Sequence, residues 1–163
     1  MSGKTDFQKK YVNNYNKHYG ANVTPVFELA GDVFEAKNAG GAVETVEAAL
    51  TLTAADGGKT FLCNADNLVI SLPATEAGLR FRFINIAANG NALLSISPVA
   101  ADGISGTTNA TTNVVLAGVV NKDAQNTKST QKVGDSLEII GTGVTGTKAW
   151  IIVGSTGVWA AEG

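Results

Sequence analysis

The stretch Leu-Val-Ile-Ser-Leu-Pro-Ala-Thr-Glu-Ala-Gly-Leu-Arg-Phe-Arg-Phe, residues 68–83, decides the fold class. Its first part places apolar side chains at 68, 70 and 72, and its last part places them at 79, 81 and 83. Apolar residues at every second position give a β-strand one face that packs on a core. Pro73 lacks an amide hydrogen and closes the first run. The stretch therefore predicts two short strands and no helix.

Similar short apolar runs recur on both sides of this stretch, separated by Gly, Asn, Asp and Thr. They cover residues 50–53, 60–63, 94–98, 114–120, 133–140, 148–153 and 157–160. Turn signals about every 8–12 residues are typical of sandwiches and barrels. We predict a mainly β fold of about eight to ten strands, a small antiparallel sandwich or jelly-roll-like barrel, over residues 49–163. The stretches 103–113 and 121–132 are expected to be exposed loops.

The composition limits the classes of function. Hydrophobic residues make up 44% and charged residues 16% of the 163 residues, against a usual charged share of about 25%. The net charge of −2 gives no reason to expect nucleic acid or an anionic membrane as a partner. The lysines near Met1 precede no apolar segment, so no secretory signal is predicted and synthesis in a cytoplasm is expected.

The first 20 residues differ from the rest of the chain. Four rings recur there at intervals of four positions: Phe7, Tyr11, Tyr15 and Tyr19. On a helix this spacing makes one slowly winding stripe, although the asparagines between the rings disfavour a helix. Residues 1–19 carry a formal charge of +3, to which Lys9 and Lys10 contribute. We predict that residues 1–20 form a docking arm, a short helix or extended, and that residues 21–48 form an extended connector to the β domain.

Residues for catalysis or metal binding are scarce. His18 and Cys63 are the single histidine and cysteine of the chain, so neither a zinc spacing nor a nucleophile with a histidine base is formed. Cys63 is expected to be a small buried apolar residue. Aspartates at 56, 66, 102 and 135 have glycine or asparagine neighbours and are expected to make turns. We therefore predict no catalytic, cofactor-binding or metal-binding residue and no enzymatic activity.

Three further features have structural explanations. The stretch 141–146 matches a loose Gly-x-Gly-x-x-Gly pattern, but a second strand pattern follows it instead of a helix, so a hairpin loop is expected. Arg80 and Arg82 share one strand face and are expected to pair with carboxylates, within the subunit or across an interface. Trp150 and Trp159 are expected to be buried or to lie in an interface rather than to form a sugar-binding platform.

Three segments carry a resemblance to a known class of proteins. Residues 50–61, 69–74 and 77–83, with the ending Trp150-Ile151-Ile152-Val153-Gly154, are similar to β domains of tailed-phage virion proteins. These domains occur in capsid decoration (cement) proteins and in distal tail-fibre modules. The resemblance covers about residues 50–160 and implies a virion structural role, commonly as a homotrimer.

Decoration is favoured because the chain is short and has the aromatic arm. The expected partner is the major capsid protein, bound on the outer capsid surface through the arm residues, and no cofactor, nucleic acid or membrane is expected. The alternative is a receptor- or carbohydrate-binding tip of a tail fibre or spike, with Trp150 or Trp159 exposed. A glycan hydrolase would require two carboxylates about 5–9.5 Å apart in a groove.

Overall fold

The computed structural model of the chain describes residues 42–108 and 115–163. These residues belong to one compact unit, Gly40–Gly163. They form one short 3-10 turn at Ala54–Asp56 and twelve strands. The strands are β1 (Val43–Val46), β2 (Leu50–Thr51), β3 (Thr60–Cys63), β4 (Leu68–Ser71), β5 (Arg80–Asn85), β6 (Leu94–Ser97), β7 (Asp102–Thr107), β8 (Val115–Ala117), β9 (Ala124–Asn126), β10 (Ser136–Gly141), β11 (Gly146–Thr156) and β12 (Trp159–Ala161). The first of them lies within the segment predicted to be the connector.

The strands form two sheets that pack together as a sandwich. The first sheet has seven strands in the order β1-β3-β5-β10-β11-β7-β8, and the second has five in the order β12-β9-β6-β4-β2. The prediction of a mainly β sandwich is confirmed.

The sheets are mixed, whereas the sequence predicted antiparallel pairing. The strands β1, β3 and β5 pair in parallel in the first sheet, and β2, β4 and β6 do so in the second. Consecutive strands from β1 to β6 alternate between the two sheets. After each visit to the other sheet, the chain adds a strand parallel to the previous strand of the same sheet. The prediction of antiparallel pairing was wrong for these six strands because consecutive strands lie in different sheets and so do not form hairpins with each other. Antiparallel pairing holds for β10 with β5 and β11, and for β9 with β6 and β12.

Alternation along β5 builds the centre of the core. Phe81 and Phe83 are buried, whereas Arg80 and Arg82, which alternate with them along the strand, are exposed. The Phe83 ring stacks on Phe61 of β3 with the ring centroids 5.7 Å apart. Burial of each such ring contributes roughly 1.5–3 kcal/mol, so the pattern of β5 fixes which face of the first sheet points inward.

Two stretches predicted to be exposed loops contain buried strands instead. Asp102, Gly103 and Ile104 of β7 are buried, and β9 lies within the stretch 121–132. A β-carbon at Gly103 would lie 3.1 Å from the carbonyl oxygens of Thr147 and Val119. Glycine therefore lets β7 approach its neighbours closely, although its lack of a side chain suggested a loop.

Candidate functional site

The residues predicted to bind a partner lie outside the described part of the chain. They are Phe7, Lys9, Lys10, Tyr11, Tyr15 and Tyr19. Their role in docking stays a prediction, and the candidate site described below lies within residues 42–108 and 115–163.

The solvent side of the seven-stranded sheet brings three cations together. Arg82 lies between Thr60 of β3 and Glu138 of β10 in the strand register. Lys59 precedes β3, and Arg80 lies on the same face of β5 as Arg82. These side chains and Glu138 line a shallow depression of about 200 Å³.

Two of the three cations are neutralised within the chain. The Lys59 ammonium lies 2.7 Å from Asp56 Oδ1 and 3.2 Å from Glu44 Oε2. The Arg80 guanidinium lies 3.1 Å from Glu138 Oε1. Arg82 is exposed and forms no ion pair with any residue that the structure describes. The prediction of carboxylate pairing is therefore confirmed for Arg80.

The Asp56 carboxylate is held in its charged form. Its pKa falls to about 2, first because Lys59 donates a hydrogen bond to it and then because the Thr53 amide and hydroxyl do so. The pKa of Lys59 is raised, first by its hydrogen bond to Asp56 and then by its hydrogen bond to Glu44. Both groups therefore stay ionised at neutral pH and serve to anchor the 3-10 turn against β1.

The four aspartates expected in turns divide into two pairs. Asp56 ends the 3-10 turn, and Asp66 accepts a hydrogen bond from the amide of Asn67. The pKa of Asp66 is lowered by Lys128 and then by the Leu93 amide.

Asp102 and Asp135 also end turns, because their amides donate to the carbonyl oxygens of Val99 and Lys132. Their carboxylates are buried, however, with exposed fractions of 0% and 5%. Asp102 Oδ2 accepts the Thr75 amide at 3.0 Å. The turns at Asp102 and Asp135 were predicted from the sequence, but the burial of their carboxylates was not.

A buried polar network joins the two sheets, and sequence reasoning missed it. Asn85 of β5 donates to Asn126 Oδ1 of β9 at 2.9 Å, and Asn126 donates to Asp135 Oδ2 at 2.9 Å and to the Val158 carbonyl at 3.0 Å. Gln131 donates to Asn85 Oδ1 at 3.2 Å. Since these amides satisfy one another, the network acts as a structural joint between the sheets.

Cys63 and the two tryptophans belong to the core. The prediction that Cys63 is a buried apolar residue is confirmed by its exposed fraction of 1%. Burial raises the pKa of its thiol to about 12, so it is not activated as a nucleophile. Trp150 and Trp159 are fully buried, so neither offers a ring to a sugar.

The glycine-rich stretch 141–146 connects β10 to β11, which pair in an antiparallel manner, so the predicted hairpin is confirmed. Within the described ranges, no three side chains of His, Cys, Asp or Glu are grouped as metal ligands. No helix in those ranges is long and apolar enough to cross a membrane.

Comparisons with known proteins add no family. No protein-family model matches the chain, and no curated protein matches it.

Proposed function

We propose that this chain is a structural protein of a tailed-phage virion, which binds the outside of the capsid shell and stabilises it by bridging capsid subunits. The observation that carries the proposal is that reactive and aromatic side chains of the β domain are buried in its core. Cys63, Asp135, Trp150 and Trp159 all lie inside the sandwich, where they pack or hold the sheets together. What the domain offers to a partner is sheet surface, which suits an assembly contact.

The fibre-tip alternative loses its main support from the same observation. It requires Trp150 or Trp159 at the surface beside polar side chains, as aromatic platforms for sugars require. Both side chains have an exposed fraction of 0%. The sequence resemblance supports decoration and fibre modules alike, so burial of the tryptophans favours decoration.

Electron microscopy of purified virions labelled with an antibody against this chain tests the proposal. We expect label spread over the capsid shell. Label confined to the tail tip would overturn the proposal in favour of the fibre module, and virions without label would exclude both.

A second test addresses the arm. We expect that deletion of residues 1–20 reduces binding to shells that lack this chain by about 100-fold or more, because large aromatic anchors dominate interface energetics. The measurement is cosedimentation with such shells, with circular dichroism as the control that the β domain stays folded. Binding equal to that of the full chain would contradict the docking role of Phe7, Tyr11, Tyr15 and Tyr19.

A further inference from the structure

The outward side chains of the seven-stranded sheet are arranged in rows, which we call the outer face. The register places Thr60, Arg82 and Glu138 in one row across β3, β5 and β10. On one side of it runs a row with Leu62 and Ile84. On the other side runs a row with Arg80, Ile140 and Ile151. The row with Arg82 and Glu138 thus lies between two rows that contain isoleucine or leucine side chains, which we call the apolar rows although one of them begins with Arg80.

The apolar rows are only partly covered by the chain itself. Leu62, Ile84, Ile140 and Ile151 are half-buried on the solvent side of their strands. Val153, further along β11, has an exposed fraction of 47%. A partner that covers both apolar rows must also cover Arg82, which lies between them.

Covering Arg82 places a demand on the chemistry of the partner. A guanidinium that is removed from water without a counter-charge is strongly unfavourable. Glu138 lies beside Arg82 in the register, but its Oε1 already accepts a hydrogen bond from Arg80. A carboxylate of the partner would supply that counter-charge, and the depression lined by Arg80, Arg82 and Glu138 gives it a place to enter.

We infer that the outer face is the side of the β domain that meets the capsid shell, and that Arg82 binds a carboxylate of the major capsid protein there. The inference rests on the proposed function and adds a second contact to that of the arm. A second copy of this chain fits the outer face less well. Its own outer face would bring another Arg82 that has no ion pair with any described residue, while the Glu138 carboxylate on that face is already engaged by Arg80.

The test compares Arg82→Glu and Arg82→Gln with the matched control Lys132→Glu in the full chain. Lys132 is exposed and lies in the loop before β10, outside the outer face. Cosedimentation with shells that lack this chain gives the affinity, and urea unfolding confirms that each variant is folded. We expect Arg82→Glu to lose about 100-fold in affinity and Arg82→Gln about tenfold or more, as for removal of one partner of a covered ion pair. Lys132→Glu should bind like the unaltered chain.

Other outcomes overturn the inference in distinguishable ways. Unchanged binding by both Arg82 variants overturns it and leaves the proposed function standing. If Arg82→Glu instead dissociates an oligomer of the isolated chain while shell binding persists, the outer face meets a second copy. If the unaltered chain itself fails to bind shells, the proposed function and the inference fall together.

Discussion

Trp150→Ala should lower the free energy of unfolding by about 3–5 kcal/mol, as truncations of large buried aromatic side chains do. Trp150 is fully buried on β11, and its ring centroid lies 5.7 Å from that of Phe81 on β5. It also lies beside Ile104 in the register with β7. The lost ring would leave a cavity between three strands of the seven-stranded sheet. Since a domain of this size is stable by about 5–15 kcal/mol, urea unfolding should show a strongly lowered midpoint.

Two phenylalanine variants separate packing from hydrogen bonding. The indole nitrogen of Trp150 has no hydrogen-bond partner among the described residues, whereas that of Trp159 donates to the Thr156 carbonyl at 3.0 Å. Trp159→Phe should therefore cost about 1 kcal/mol more than Trp150→Phe. If Trp150→Ala unfolds at the same urea concentration as the unaltered chain, Trp150 does not contribute to the core as described.

The strands of the core could be predicted from the sequence because their signal is local. In β4 and β5 every second residue is apolar, and a strand with one buried face requires this pattern whatever its neighbours are. Phe81 and Phe83 are buried and Arg80 and Arg82 exposed, as the alternation indicated. Pro73 likewise follows β4 and takes no part in its ladder.

Strand pairing could not be predicted because it depends on the path of the chain between sheets. Val43 of β1 pairs with Thr60 of β3, and Thr60 pairs in turn with Arg82 of β5, both in parallel ladders. The intervening strands β2 and β4 belong to the other sheet. The segments that connect β1 to β3 and β3 to β5 differ in length and in sequence, so no repeat was visible in the sequence.

The buried polar residues were missed for a related reason. Asn85 occupies an inward position that continues the alternation of Phe81 and Phe83, but its side chain is polar and therefore does not fit the apolar pattern. Its burial is favourable only because Asn126 and Gln131, 41 and 46 residues away, satisfy it. Long-range partners of this kind leave no local mark. Arg82, in contrast, could be assigned to the outward side of its strand from the sequence, whereas only the structure shows that it forms no ion pair within residues 42–108 and 115–163.

Gly157→Ala should be the most damaging of the glycine substitutions that touch this network, with an expected loss of about 3 kcal/mol or more. Gly157 has a φ of +81°, and an added β-carbon would lie 2.1 Å from Asp135 Oδ1. Asp135 cannot move without losing its hydrogen bonds from Asn126 and from the Lys132 amide, both 2.9 Å long. The substitution therefore disturbs the joint between the sheets as well as the turn.

Gly58→Ala supplies the matched control for the backbone contribution. Gly58 has a φ of +83°, and an added β-carbon there would meet nothing within 4 Å. Its expected cost is about 1–2 kcal/mol, the strain of a left-handed residue that carries a side chain. The difference between the two variants in urea unfolding then measures the collision with Asp135 and its effect on the network.

The double variant Gly157→Ala with Asp135→Ala tests the cause of that difference. Asp135→Ala alone removes the carboxylate and should cost about 1–3 kcal/mol, since the Lys132 amide loses its acceptor. Because the collision no longer exists, adding Gly157→Ala should then cost only about the 1–2 kcal/mol of strain seen at Gly58. The two substitutions should thus be strongly non-additive. Additive losses would mean that Gly157 is required by the turn alone, and that the joint between the sheets does not depend on the position of Asp135.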